Sequence, residues 1–152
     1  MALARVLTQG PILAAASNVR AADVLIVDDD AELREFFVAL LTLEGYHVTA
    51  AANGAEALAY LRRFGPVAVV LLDLSMPVMD GWTFCREQQS DRRLADIPVV
   101  LSSGSLDSPD RPRRIAATLE KPVDSREVLS VIRKYCPARK SRAARSSSRQ
   151  SG

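Results

Sequence analysis

Three aspartates, two serines and a lysine stand at or just beyond the ends of short apolar runs. Asp28 and Asp29 follow Val24-Leu25-Ile26-Val27, and Asp73 follows Val69-Val70-Leu71-Leu72. Ser102 and Ser103 follow Val99-Val100-Leu101, and Lys121 comes shortly after Leu119. Carboxylates held together repel and raise one another's pKa. A hard divalent cation removes that conflict, and carboxylate oxygens are the ligands Mg2+ prefers. One carboxylate can then stay ionised and attack phosphorus, since aspartate serves as a covalent nucleophile toward phosphoryl groups. Transition-state charge gathers on the equatorial oxygens, where an ammonium such as Lys121 and a hydroxyl such as Ser103 would stabilise it.

This chemistry requires that all six residues meet, so the elements between them must bring the run ends together. Val24 to Val27 reads as a strand buried on both faces. From Ala31 to Leu43, Leu33, Phe36, Phe37, Leu40 and Leu41 recur at helical spacing, and Gly45 ends that helix. Tyr46 to Ala51 fits a second strand, and Asn53 caps a helix running through Phe64. The alternation continues with a strand from Val67 to Leu72 and a helix from Gly81 to Gln89. Strands at Val99–Ser102 and Ala116–Leu119 follow, then an amphipathic helix from Ser125 to Tyr135. Such alternation predicts an α/β fold: a flavodoxin-like, doubly wound, five-stranded parallel sheet of order 2-1-3-4-5. In that architecture ligands bind beyond the carboxyl ends of the strands, where the six residues fall. The segment from Ser105 to Ile115 holds Pro109 and Pro112, and an interior proline costs a helix about 3 kcal/mol. The fourth helix is therefore expected to be shortened or irregular, starting after Pro112.

The chain has 152 residues, room for one ordinary domain. Aromatic residues make up only 5%, so the core is built mainly of Val, Leu, Ile and Ala. No apolar stretch approaches the roughly 18 residues of a membrane span. All 18 acidic residues lie within 23–136, with 13 of the 20 basic ones, so that span carries a net charge of −5. Residues 1–22 contribute Arg5 and Arg20, and residues 137–152 five more basic residues with no acid. The organisation expected is a flexible extension over 1–22, a domain over 23–136 and a disordered basic tail over 137–152. The N-terminal stretch makes a poor signal peptide because Gln9-Gly10-Pro11 interrupts it. The tail lacks interleaved aromatics, which argues against nucleic acid as a partner. Cys85 and Cys136 form no CxxC pair and fit a reduced, cytoplasmic protein.

Several residues need only structural readings. Asp30 reads as a cap or surface acid, Asp80 with Gly81 as a turn and helix start, His47 as a partly exposed strand residue and Trp82 as a packing residue.

Val27-Asp28-Asp29, the run from Asp73 to Gly81 (DLSMPVMDG), Ser103-Gly104 and Lys121-Pro122, in this order, resemble bacterial two-component response regulator receiver domains of the chemotaxis-regulator-like, single-domain kind. The resemblance spans about residues 23–136. It implies that Asp73 is the phosphoacceptor, and that Asp28, Asp29, Asp73 and the backbone carbonyl of Ser75 hold Mg2+. It implies that Lys121 pairs with phosphoryl oxygens and precedes a cis proline. Ser103 takes the switch-hydroxyl position, with Ser102 as the alternative. The donor would be a sensor histidine kinase or phosphotransfer protein. With only the basic tail after residue 136, the expected output is phosphorylation-dependent binding of a further protein, with no enzymatic turnover beyond its own phosphorylation and dephosphorylation. Two features depart from the family pattern. Thr118 stands where relatives carry an aromatic, and the span from Ser103 to Lys121 is short. They support the alternative of a phosphorylation-independent interaction module on the same fold. A metal-dependent phosphohydrolase with Asp73 as nucleophile is a further alternative, but it would need a substrate-selecting cap that the sequence does not supply.

Overall fold

The computed structural model describes residues 22–104, 109, 112 and 114–136. Five strands, β1 (Val24–Val27), β2 (Val48–Ala51), β3 (Val69–Asp73), β4 (Val99–Ser103) and β5 (Ala117–Glu120), form one sheet. Its order is β2-β1-β3-β4-β5, and every pairing is parallel. The helices are α1 (Ala31–Leu43), α2 (Gly54–Phe64), α3 (Gly81–Ser90) and α4 (Ser125–Tyr135). This is the expected doubly wound sheet, with α1 and α4 on one face and α2 and α3 on the other.

Strand alternation explains the two cores. Leu25, Val27, Val70, Leu72, Val99 and Leu101 pack against Ala57, Leu58 and Leu61 of α2 and Phe84 of α3. Val24, Ile26, Val69, Leu71, Val100 and Leu119 pack against Phe37 and Leu41 of α1 and Val128 and Ile132 of α4. Each fully buried side chain of this size contributes about 1.5–3 kcal/mol, so both faces lock strand register.

Each of the four described helices starts on a capping side chain. The Asp30 carboxylate accepts from the Glu32 and Leu33 amides, Asn53 from Glu56, Asp80 from Thr83 and Asp124 from Arg126. Glu56 also accepts from the Ala52 amide, bracing the start of α2 from both sides. Helix α1 stops because Gly45 adopts φ +91°, which lets its amide donate to Thr42 and the next amide, of Tyr46, donate to Leu41.

Several boundaries differ from the sequence reading. β2 begins at Val48, not Tyr46, because Tyr46 is spent closing the turn after α1. His47 therefore precedes the strand, where it is exposed. β3 runs from Val69 through Asp73, β4 extends to Ser103 and β5 is displaced by one residue to Ala117–Glu120. Ala22 is buried in the core beside Tyr60. No helix lies between β4 and β5 among the described residues, and Arg114 to Ala116 are not helical after Pro112. The Ala116 amide donates to the Val99 carbonyl, so pairing with β4 starts at Ala116, where the fifth strand was expected to begin. The rest of the segment expected to hold that helix, over 105–108, 110, 111 and 113, lies outside the described residues, as do 1–21 and 137–152.

Candidate functional site

The carboxyl ends of β1, β3 and β4 and the residue after β5 meet on one rim of the sheet. Asp28 follows β1 and is buried. One of its oxygens accepts from the Asp30 amide at 2.9 Å, and its own carbonyl accepts from Arg34 of α1 at 2.7 Å. The turn that caps α1 thus also fixes Asp28. Asp73 closes β3, is likewise buried, and accepts from the Ser75 amide at 3.4 Å. Asp29 is exposed at the mouth, and ligand oxygens of all three aspartates lie within 4.8 Å of one another.

Lys121 supplies the positive charge. Its ammonium is 3.3 Å from Asp73 Oδ1 and 3.8 Å from Asp28 Oδ2. The Lys121 amide donates to the Ser103 carbonyl, and the bond from Lys121 to Pro122 is cis, as the resemblance implied. Burial pushes the Asp28 carboxyl above its usual range; the Asp30 amide and Lys121 oppose this, while Asp73 and Asp29 add to it. A corner in which burial and like charge both penalise ionisation suits a hard divalent cation, and the all-carboxylate donor set fits Mg2+.

The loop after β3 is shaped by close backbone approach. The Gly81 amide donates to the Leu74 carbonyl, and a Cβ at Gly81 would lie 2.7 Å from the Asp73 carbonyl oxygen. Gly81 is therefore needed to seat α3 directly behind Asp73. Val78 holds φ +67° while 85% exposed, an uncommon conformation for a β-branched residue. Asp80 caps α3, as read from the sequence, and Trp82 packs partly buried against the α2–α3 core.

Asp28, Asp29, Asp73 and Lys121 are thus brought together. Ser75 is exposed in the loop that follows Asp73, between buried Leu74 and Met76. Ser102 and Ser103 are both buried at the end of β4, with Ser102 in register beside Asp73. Sequence reasoning missed Arg34, which lies six residues beyond Asp28 and reaches its carbonyl across the capping turn, a contact that no spacing rule signals. It also read Gly81 as a turn residue without its packing role, because that contact arises across the loop. Beside Lys121, Thr118, Leu119, Glu120, Pro122 and Glu127 help line an open cleft of about 520 Å³.

Residues 24–133 match the family model for the response regulator receiver domain. A probable transcriptional regulator, ycf27, of Porphyridium aerugineum is 39% identical over 88 residues, covering 58% of this chain and 35% of that protein. The chain thus spans about a third of that curated relative. A response regulator receiver protein from Pseudomonas putida superposes with a TM-score of 0.69 at 29% identity, covering 76% of this chain and 99% of that one. The chemotaxis protein CheY4 of Vibrio cholerae does so with a TM-score of 0.67 at 27% identity, again over 76% and 99%.

Proposed function

The chain belongs to the response regulator receiver domain family, and we propose that it is switched by accepting a phosphoryl group on Asp73. One observation carries this reading: the buried Asp73 carboxylate stands between two further aspartates and an ammonium 3.3 Å away. Receiver domains are signalling modules of two-component systems, so the donor is the phosphohistidine of a sensor kinase or phosphotransfer protein. Residues 23–136 form the receiver unit. No helix among the described residues is long and apolar enough to cross a membrane, and we place the protein in the cytoplasm.

Asp28, Asp29, Asp73 and the Ser75 backbone carbonyl would hold Mg2+. When bound, that ion would neutralise the crowded carboxylates and draw in the oxygens of the incoming phosphoryl group. Asp73 attacks phosphorus, its Oδ–P bond forms and the P–N bond to the donor histidine breaks, returning the electron pair to the imidazole. Lys121 pairs with the phosphoryl oxygens as negative charge moves outward from the carboxylate. Ser103 turns its hydroxyl toward the same oxygens. The product is an acyl phosphate whose added charge biases the surrounding surface between two states, and the switched form acts by binding a further protein.

Incubation with Mg2+ and acetyl phosphate, followed by intact-mass measurement, tests this. Wild type gains the mass of one phosphoryl group and Asp73→Asn gains none. Absence of a gain in wild type, together with no response to beryllium fluoride, would overturn the reading. In its place would stand a phosphorylation-independent interaction module, which half-buried Thr118 and its open cleft favour. That module would bind its partner equally well as Asp73→Asn.

A further inference from the structure

Ser102 is the rim residue to which phosphoryl transfer gives no task. It is 3% exposed, and its hydroxyl meets no hydrogen-bond partner among the described residues. A hydroxyl buried in that way is penalised where a methyl group would not be. Register gives its position. Ser102 is the β4 partner of Asp73, two residues beyond Val100, just as Asp73 is two beyond Leu71. Val100 and Leu71 share the α1–α4 core, so alternation turns Ser102 and Asp73 toward the same face. Lys121 lies beyond β5, yet its ammonium reaches Asp73 on β3, across the intervening β4. On that face, Ser102 is the β4 residue that the bridge spans.

We propose that Ser102 is a hydrogen-bond donor to the Asp73 carboxyl group that speeds loss of the phosphoryl group. This rests on Asp73 being the phosphoacceptor. In the resting protein the ammonium is shared between Asp28 and Asp73, and the hydroxyl is idle. Once Asp73 carries phosphate, the negative charge sits on phosphoryl oxygens and the ammonium follows it. The acyl carbonyl oxygen then loses its cation and faces the Ser102 hydroxyl. In hydrolysis, a water oxygen bonds to phosphorus and the bond from phosphorus to Asp73 Oδ breaks. Its electron pair returns to the carboxylate, and both protons of the water leave on dihydrogen phosphate. Charge therefore develops on the carboxylate that Ser102 stabilises.

The test is to load wild type, Ser102→Ala and Ser102→Thr with acetyl phosphate and Mg2+, remove the donor, and follow decay by intact mass. Ser102→Ala should keep its phosphoryl group about fivefold longer than wild type, which corresponds to about 1 kcal/mol at 1.36 kcal/mol per tenfold. Ser102→Thr, which retains the hydroxyl, should restore wild-type decay. Unphosphorylated Ser102→Ala should melt at or above the wild-type temperature, because it loses only an unpaired hydroxyl. Should the alanine variant not fold, Ser102→Cys, close in size and a weaker donor, takes its place with the same expected direction. Equal or faster decay of the hydroxyl-less variant, or failure of threonine to restore it, overturns the role of Ser102 alone. A wild type that never gains a phosphoryl group overturns the phosphoacceptor reading, and this proposal with it.

Discussion

The acidic corner at the ends of β1 and β3 and the free edge along β5 share one rim of the sheet but are held by different means. β1 and β3 each have a strand on both sides, and the corner is further tied by the Asp30 turn, Arg34 of α1 and the Gly81 contact behind Asp73. Among the described residues β5 pairs only with β4, and Thr118 in its middle is half-buried beside an open cleft. A side chain at the corner is positioned by several independent constraints, whereas one on the edge has few. Chemistry that needs placement within a fraction of an ångström belongs at the corner, while side chains on the edge are more loosely held.

Four substitutions would break or sharpen this contrast. The largest effect is expected for Lys121→Ala, which removes the cation beside Asp73. Phosphorylation by acetyl phosphate should slow by about 10²-fold, the scale for losing one charge-stabilising donor, as read from initial rates by intact mass. Gly81→Ala places a methyl group against the Asp73 and Leu74 backbone. Overpacking of that kind costs about 2 kcal/mol, measurable by urea denaturation, and should slow phosphorylation because it moves the end of β3.

Asp80→Ala should cost about 1 kcal/mol through loss of the α3 cap. Its pH dependence separates it from the corner. The Thr83 amide holds the Asp80 carboxyl below the usual carboxylate range. The contribution of Asp80 is thus fully present above its unfolded-state pKa and fades as pH falls through the lowered folded value. Wild type should lose that increment in acid while Asp80→Ala, having none, should show a flatter acid limb. Asp28 runs the other way, because burial outweighs its own backbone hydrogen bond. The smallest effect is expected on the edge. Thr118→Ala should change stability by less than about 0.5 kcal/mol and leave the phosphorylation rate unaltered. A large loss there would show the edge to be as constrained as the corner.

Much of this was legible beforehand. Uniformly apolar runs ending in Asp28, Asp73 and Ser102 identify buried parallel strands, and Gly45 and Asn53 mark helix ends by local chemistry. The bounds of α1 and α4 match because caps and apolar periodicity act within a few residues. Strand ends fared less well, since β2 and β5 begin where a neighbour's amides and carbonyls become available. Of the helix expected after Pro112, the described residues Arg114 and Ile115 are not helical.

By itself, the sequence determined which chemical groups exist and in what order the strands present them. Residue type, apolar periodicity and capping are local properties, and a doubly wound parallel sheet has one rim to which strand ends can deliver. Tertiary structure alone decided that the Lys121 ammonium spans β4 to reach Asp73, that Gly81 sits against the Asp73 backbone and that the buried Ser102 hydroxyl has no hydrogen-bond partner among the described residues. Each depends on register between strands or on loop-to-strand contact, relations among residues far apart in the chain that no local pattern encodes.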